Sequence, residues 1–557
     1  METTKPHFAF KFLPSLTDIA FLMPILFLFA RMGGVHTLLS DCDTGWHIRT
    51  GEWIVTNHQV PARDFFSFTK TGEPWFAWEW LSDVVFAWLN SHGGLATLVV
   101  GAILLISVTF TMLFRLSLRR ANPIIALIIT MVATAASAIH WLARPHLFSL
   151  FFLVLFYRAL ESVRAGRSRF WGVPYLAILP VVTILWTNLH GGFFFGILML
   201  CAYGAGEVLR LFLTADRTQA PVARLHARNY FLCALGCLAA SLVNPYFYKL
   251  HTHVIEYLTD PFQSQHVIEL LTLNFHHPVA VFFESLLVLG TAAAIWHAAR
   301  GTYTEAVLVL MWGHAALLEQ RNIPLFAIVA APIIAAAADA WMKRLPDLQL
   351  APWFRNASRK LVSIAMETAE TDAIPRWHLA SAAGIVIVAA LVFAPKPPKL
   401  FKPEYDPDNY PAGALATLKS DPGARIFTND EWGDYLIYRL YPGHQVFVDG
   451  RSDFYGDDFV QKYLDVMNVK YDWQQTLSHF GINTILLPPS APLAGAVKES
   501  RNWRVVYDDG ISLVFRPVFK AAGDSISATS AGGGRRGHEV TKTETGIVAD
   551  PAHKYRS

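Results

Sequence analysis

The sequence predicts a polytopic α-helical membrane protein of about eleven transmembrane helices with a C-terminal external α/β domain. Three observations carry this. Charged residues make up 16% of the chain, against roughly 25% in soluble domains, and the deficit is concentrated in the first 395 residues. Apolar runs of membrane-crossing length recur through that region. Basic residues gather in alternate loops and are sparse in the loops between, the long first one excepted.

Spans are predicted at about 17–39, 82–114, 123–141, 146–160, 171–188, 192–212, 230–247, 279–298, 304–319, 322–342 and 377–395. The second is overlong, and Gly93-Gly94 near its start marks a shorter buried or re-entrant piece. The first shows no small-residue cleavage pattern and reads as an anchor. Arg115, Arg119 and Arg120, then Arg158, Arg164, Arg167 and Arg169, then Arg210, Arg217, Arg224 and Arg228, and finally Arg300, Lys343 and Arg344 mark the cytoplasmic loops. The N-terminus is then cytoplasmic, and an odd number of spans puts the C-terminal part outside.

The division that follows is a membrane domain over 1–395 with a long first external loop at 40–81, an external domain over 396–517 and a tail over 518–557. In the external domain RIFTN (425–429), QVFVD (445–449), NTILLP (483–488), WRVVYD (503–508) and SLVFR (512–516) read as strands. Helices are expected near 411–420, 432–440, 456–468 and 472–480. The tail has no apolar payload and is expected to be disordered. A net charge of +3 gives no reason to expect nucleic acid. Of the four cysteines, Cys201, Cys233 and Cys237 lie in apolar runs; with Cys42 they read as structural.

Polar residues gather where the external loops meet the spans, and such groups at membrane depth mark a functional site. DCDTGWHIRTGEW (41–53) opens the first external loop, which continues to Glu79 and beyond. Asp41 and Asp43 either cap a short helix or form an interfacial carboxylate pair, as general base or cation ligand. Trp46, His47, Arg49, Glu52 and Trp53 favour the second reading. Arg144 and His146 flank Pro145 in a short loop, where an external arginine calls for a phosphate or carboxylate partner. Asn188 and His190 precede Gly191-Gly192, which serve either close packing or a site. Glu319 and Arg321 form an ion pair or line a cavity, and Asn244-Pro245 reads as a helix stop. His251, His253, His266, His276 and His277 lack a clear third ligand beside their His-x-His pair, a poor zinc signature. Their segment, 249–278, reads instead as an interfacial helix and loop. Clustering on one face points to a single cavity opening outward at the membrane surface.

A first external loop that opens with an acidic pair, many spans and an external α/β domain resemble the GT-C superfamily of glycosyltransferases. Oligosaccharyltransferases, protein O-mannosyltransferases and lipid A aminoarabinose transferases belong to it. DCDTGWHIRTGEWIVTNHQVPARDFFSFT is similar to uncharacterised bacterial membrane proteins placed near that superfamily. The resemblance implies a bacterial inner-membrane enzyme, with its C-terminal domain periplasmic or extracellular. It implies inverting transfer of a sugar from a polyprenyl-phosphate or pyrophosphate donor among membrane lipids to a glycan, lipid or protein acceptor. Asp43 or Asp41 carries the acidic role, as base or on a divalent metal ion, the one cofactor the resemblance admits. Position, rather than a family motif, makes Arg144 and Arg321 the phosphate-binding candidates, with His146, His47 and Arg49 beside them. Trp46, Glu79, Asn188, His190 and Glu319 line the cavity. The oligosaccharyltransferase signature Trp-Trp-Asp-Tyr-Gly is reduced here to Trp432, Asp434 and Tyr435, with Asp449 and Arg451 following, so the acceptor class stays open.

A sugar on a lipid phosphate is already activated, and the chain accordingly needs no nucleotide-binding glycine fingerprint. The rival reading is a transporter, or a non-catalytic envelope protein that binds lipid or glycan. Polar clusters confined to span ends on one side disfavour transport. Pure binding would use the same Arg and Trp residues as transfer.

Overall fold

The computed structural model describes residues 8–214, 217–349 and 351–518. The chain is mostly helical, and seven helical segments are long and apolar enough to cross a membrane. The tail expected to be disordered, 518–557, lies outside the described residues except for its first residue.

Helix α1 (Leu16–Arg31) starts at Ser15, whose side chain and Asp18 cap each other's backbone N–H groups. It ends well short of the expected residue 39. Gly33 and Gly34 take φ of 88° and 104°, which an L side chain rarely adopts, and residues 35–39 form a separate 3-10 turn. A Cβ on Gly34 would also meet the Leu400 carbonyl. Helix α2 (Asp43–Asn57) opens the first long loop, and the overlong second run is two helices, α3 (Trp80–Gly93) and α4 (Leu95–Ser117), parted at Gly94 with φ 63°. Then follow α5 (Pro123–Ser137) and α6 (His146–Arg164), the latter longer than the run suggested. Residues 171–174, expected to begin the fifth span, instead belong to a two-stranded hairpin, β1 (Arg169–Phe170) and β2 (Val173–Pro174).

Helices α7 (Tyr175–Leu189), α8 (Phe194–Leu213) and α9 (Ala220–Ala240) come next; α9 carries Arg224, His226 and Arg228 in its first half. Short α10 (Lys249–Thr259) and α11 (Pro261–His266) precede α12 (Ala280–Ala298), α13 (Tyr303–Leu318) and α14 (Ile323–Arg344). Helix α14 is the central post of the bundle: Ala327 to Ala331 are all fully buried, and α4, α5, α12 and α13 pack around it. Amphipathic α15 (Pro352–Asp372), which the apolar runs did not signal, precedes α16 (Leu379–Val392). A charge cluster around one buried carboxylate, Glu305, ties the bundle at one end. Arg120 reaches Glu305 at 2.5 Å, while Arg164 lies 3.1 Å from Glu161 and 3.0 Å from Glu305, which is fully buried. Removing one partner of such a set strands the others, at a cost of about 3–5 kcal/mol.

After α16 the chain continues through α17 (Leu415–Lys419), β3 (Ile426–Phe427), α18 (Asp430–Leu440), α19 (Ser452–Tyr455), α20 (Asp457–Met467), α21 (Trp473–His479), β4 (Thr484–Leu487), α22 (Pro492–Glu499), β5 (Trp503–Asp508) and β6 (Leu513–Pro517). Four of these strands form a sheet in the order β3-β4-β6-β5, with β3 and β4 parallel and the rest antiparallel. QVFVD is not a strand of that sheet. Only Val446 bridges, once to Ile426 and once to Ser67 of the first long loop. The segment thereby stitches the loop to the sheet instead of extending it. The described residues up to Pro517 belong to one compact unit.

Candidate functional site

The site begins where α2 begins. Cys42 offers no side-chain cap, and Asp41 instead accepts the N–H of Asp43 at 2.8 Å. The turn before α6 is fastened to this point: Ala143 N–H donates to the Leu38 carbonyl at 2.7 Å, and Thr44 Oγ1 donates to the Ala143 carbonyl at 3.0 Å. Arg144 therefore faces the acidic pair. Its terminal nitrogens lie 2.8 Å from Asp41 and 2.6 Å from Asp43. A third carboxylate, Glu269, lies 3.4 Å from Arg144 and 3.3 Å from His140 Nε2. His146 stays close by, its Nε2 donating to the His140 carbonyl at 2.9 Å.

Glu269 arrives from a loop pinned to the Glu319–Arg321 turn, where Gln320 N–H donates to the Leu271 carbonyl at 2.9 Å. Arg321 pairs with Glu319 at 2.8 Å and lies over the Tyr257 ring at 5.3 Å. Burial opposes ionisation of Glu269, but Arg144, His140 and Arg321 outweigh it and hold the carboxyl at about 2. Asp43 differs. Burial raises it to about 7 despite Arg144, with Asp41 and Glu269 adding repulsion.

Asp434 comes from α18. Its two oxygens each accept the Gly450 N–H at 3.1 Å. A Cβ on Gly450 would stand 2.5 Å from Asp43 Oδ1 and 2.6 Å from Asp434 Oδ2, so the two carboxylates share the face of this glycine. Burial, then the Asp43 and Asp449 charges, push the Asp434 carboxyl well up.

A second cluster adjoins the first. A Cβ on Gly51 would overlap the Asp83 carbonyl, so the bare glycine lets α3 close on α2. His47 Nδ1 then sits 2.6 Å from Asp83 Oδ1, and His47 Nε2 sits 3.6 Å from Glu79. The other Glu79 oxygen is 3.4 Å from His190 Nε2. Glu79 is raised to about 8, first by burial, with Arg144 pulling the other way. Burial and the Arg144 charge hold His190 at about 3, a neutral imidazole.

Other expected site residues lie elsewhere. Trp46 stacks on His47 with ring centroids 3.7 Å apart. Arg49 donates to the Tyr438 carbonyl at 3.0 Å and pairs with Glu52, holding α2 to α18. Asn188 accepts Trp80 Nε1–H at 2.8 Å and donates to the Val243 carbonyl at 2.9 Å, which joins α7 to its neighbours. Trp432 is buried, its indole N–H on the Asn409 carbonyl at 3.0 Å, and Tyr435 stacks with Tyr410. Arg451 is buried between Asp449 at 2.7 Å and Asp64 at 2.8 Å, where it ties the first long loop to α19. The sequence reading missed Glu269, His140 and Asp83. Glu269 carries the one legible signal, an acid within QHVIELLTL, an otherwise uncharged run apart from its histidine.

The acidic residues do not fit a divalent ion as built, because the Arg144 guanidinium takes the position an ion would fill between Asp41 and Asp43. Among the described residues no group of three His, Cys, Asp or Glu side chains is arranged to hold a metal. An open apolar pocket of about 530 Å³ is lined by Trp80, Leu81, Ile184, Leu185, Asn188 and Val243.

Fold and site define a multi-pass membrane protein that shares its fold with an archaeal oligosaccharyltransferase. Two solved structures carry the likeness. The chain matches the Archaeoglobus fulgidus oligosaccharyltransferase in its apo form with a TM-score of 0.51 at 12% identity, over 85% of this chain and 69% of that one. The archaeal oligosaccharyltransferase AglB from Archaeoglobus fulgidus, in complex with an inhibitory peptide and a dolichol-phosphate, matches with the same TM-score, identity and coverage. At this identity the likeness is one of fold. No family model matches the chain. No curated protein matches it by sequence.

Proposed function

We propose that the chain is an inverting membrane glycosyltransferase that moves a sugar from a polyprenyl-phosphate-type donor to an acceptor at the external face of a bacterial inner membrane. In this reading residues 1–395 cross the membrane about eleven times, with the N-terminus cytoplasmic and residues 396–517 in the periplasm or outside the cell. One observation carries the proposal: Arg144 holds the acidic pair of the first long loop, as a base beside a fixed cation would require. The fold is shared with an oligosaccharyltransferase solved with dolichol-phosphate.

In this reading a donor tail lies among Trp80, Leu81 and Leu185, with its phosphate toward Glu79, which precedes Trp80 in the chain. Arg321 is the cation for that phosphate, since among the described residues it forms an ion pair with Glu319 alone, whereas Arg144 is saturated by Asp41, Asp43 and Glu269. Arg144 then holds Asp43 in place, and Asp43 takes the acceptor's proton. Fixed cations around the leaving phosphate stabilise the charge that grows there.

The saturated state of Arg144 also favours a second reading, a protein that binds a lipid-linked glycan without turning it over. Sugar transfer from radiolabelled polyprenyl-phosphate sugars in membranes separates the two. Transfer by the native chain that is lost in Asp43→Asn supports the enzyme. Binding of the donor with no transfer to any acceptor supports the binding protein.

A further inference from the structure

We propose that Arg119, Arg158 and Arg167 hold the phosphate of an anionic phospholipid at the end of the bundle away from Asp43, with the Trp171 hairpin seated among the neighbouring headgroups. The inference goes beyond the glycosyltransferase reading and does not depend on sugar transfer.

Helix α6 joins the two ends. It runs from His146, close to Arg144 in the chain, for 19 residues to Arg164, a rise of about 28 Å that nearly matches a bilayer's hydrocarbon core. At its far end Arg119, Arg158 and Arg167 converge on Ser162. The Arg119 guanidinium donates to Ser162 Oγ at 3.0 Å. The Ser162 hydroxyl donates in turn to the Arg158 carbonyl at 2.7 Å, one turn back, so Arg158 and Ser162 share a helix face. Gly166, at φ 76°, ends the helix, and the Arg167 N–H then donates to the Ser162 carbonyl at 2.9 Å.

These charges are not consumed inside the protein. Arg120 and Arg164, from the same two segments, pair with Glu161 and Glu305. Among the described residues Arg119, Arg158 and Arg167 form no ion pair, and Glu161, whose charge also reaches Arg119, is already held by Arg120 and Arg164. Burial, then repulsion from Arg158 and Arg167, hold Arg119 below the ordinary arginine value. Like charges gathered in this way call for an anion, and a phosphate offers oxygens to several guanidinium groups at once.

The hairpin selects a lipid over a free anion. Its turn puts Trp171 and Gly172 at φ 47° and 81°. Tight hairpin turns favour asparagine or glycine at such positions, so the indole is held there at a cost in backbone strain. Trp171 is 91% exposed and stacks on Phe170, which is itself exposed, as is Val173. Tryptophan and arginine together at the ends of membrane spans suit the interface, the ring at headgroup level and the guanidinium on phosphate. A soluble anion would account for the arginines and leave the aromatic tip in water.

Native mass spectrometry of the full chain in neutral detergent, offered equal amounts of phosphatidylglycerol and phosphatidylcholine with the same acyl chains, tests the site. The native protein is expected to retain the anionic lipid over the zwitterionic one by about tenfold or more, since one arginine at a lipid surface is good for roughly fivefold. Arg119→Gln, Arg158→Gln and Arg167→Gln together should bring the two lipids to within about twofold. Arg224→Gln, Arg228→Gln and Arg300→Gln remove as much exposed charge from other basic loops and should leave the preference as it is. Equal loss in both sets overturns the proposal, because the preference would then belong to the basic surface at large. If the first set does not fold, Arg167→Glu alone, at an exposed position, should still lower the preference, and an unchanged preference there overturns the site. Displacement of phosphatidylglycerol by an equal concentration of inorganic phosphate would identify a free-anion site and overturn the lipid. In vesicles with brominated acyl chains the Trp171 fluorescence, taken as native minus Trp171→Phe, should be quenched. An unquenched Trp171 overturns the seating of the hairpin.

Discussion

Arg144 lies between Asp41 and Asp43, its terminal nitrogens 2.8 and 2.6 Å from one oxygen of each. A guanidinium so placed neutralises the pair in the way a bound cation would, with geometry set by a planar fork.

The first prediction concerns metal. The native chain should bind Mn²⁺ weakly, and any transfer it performs should survive chelation by EDTA. Arg144→Met frees Asp41, Asp43 and Glu269 for a hard cation and should bind Mn²⁺ at least tenfold more tightly than the native chain. Titration of the free-ion paramagnetic resonance signal measures both; equal binding by the two proteins would contradict the clamp.

Steric closeness at Gly450 gives the second. A methyl group there would meet Asp43 Oδ1 and Asp434 Oδ2 at 2.5 and 2.6 Å. Gly450→Ala should displace Asp43 by a fraction of an ångström and reduce transfer by about 100-fold, the penalty typical of a small misplacement. Thermal unfolding should change little, because the methyl can push flexible carboxylates aside. Native-like turnover would show that Asp43 does not need its present position.

Stability should fall with rising pH above the ordinary carboxyl range. Glu79 and Asp43 are raised from 4.5 and 3.8 to about 8 and 7. A raised carboxyl contributes stability that is complete below its ordinary value and lost as pH climbs through the folded value. Glu269 works oppositely: lowered from 4.5 to about 2, it contributes stability above 4.5 that is lost as pH falls toward 2. The melting temperature in detergent should therefore decline between about pH 5 and pH 8, and Glu79→Gln should flatten that slope. A slope unchanged in the variant would place the titration elsewhere.

Arg451 supplies a structural prediction. It is buried, paired with Asp449 and Asp64, and lies over the Trp75 ring at 4.5 Å. Arg451→Met strands two buried carboxylates and should cost about 3–5 kcal/mol. Unfolding of the detergent-solubilised chain measures it. A loss below about 1 kcal/mol would mean the pair is not shielded from water.

Much of the candidate site was legible one residue at a time. Asp41, Asp43, Arg144, His190 and Arg321 stand out as polar groups at the ends of apolar runs. What they touch was not legible. Asp43 and Arg144 meet because the Ala143 turn is bonded to Leu38 and Thr44, residues about a hundred positions away. Arg49, Trp432 and Arg451 looked like ligand-facing residues; the tertiary structure places Arg49 and Arg451 in contacts between the first long loop or α2 and the C-terminal part, and buries Trp432 against Asn409 within that part.

By itself the sequence determined that this is a multi-pass membrane protein with a small sheet near its C-terminus, because apolar length and strand alternation are local properties that need no partner. Tertiary structure decided where α1 stops, since Gly34 must pass against Leu400. It decided that QVFVD bridges to Ser67 instead of joining the sheet. It also decided which carboxylates surround Arg144. Charge pairing depends on distances of a few ångströms between residues far apart in the chain, and only the packing of the start of α2 with the turn before α6 and the loop at Glu269 sets those distances.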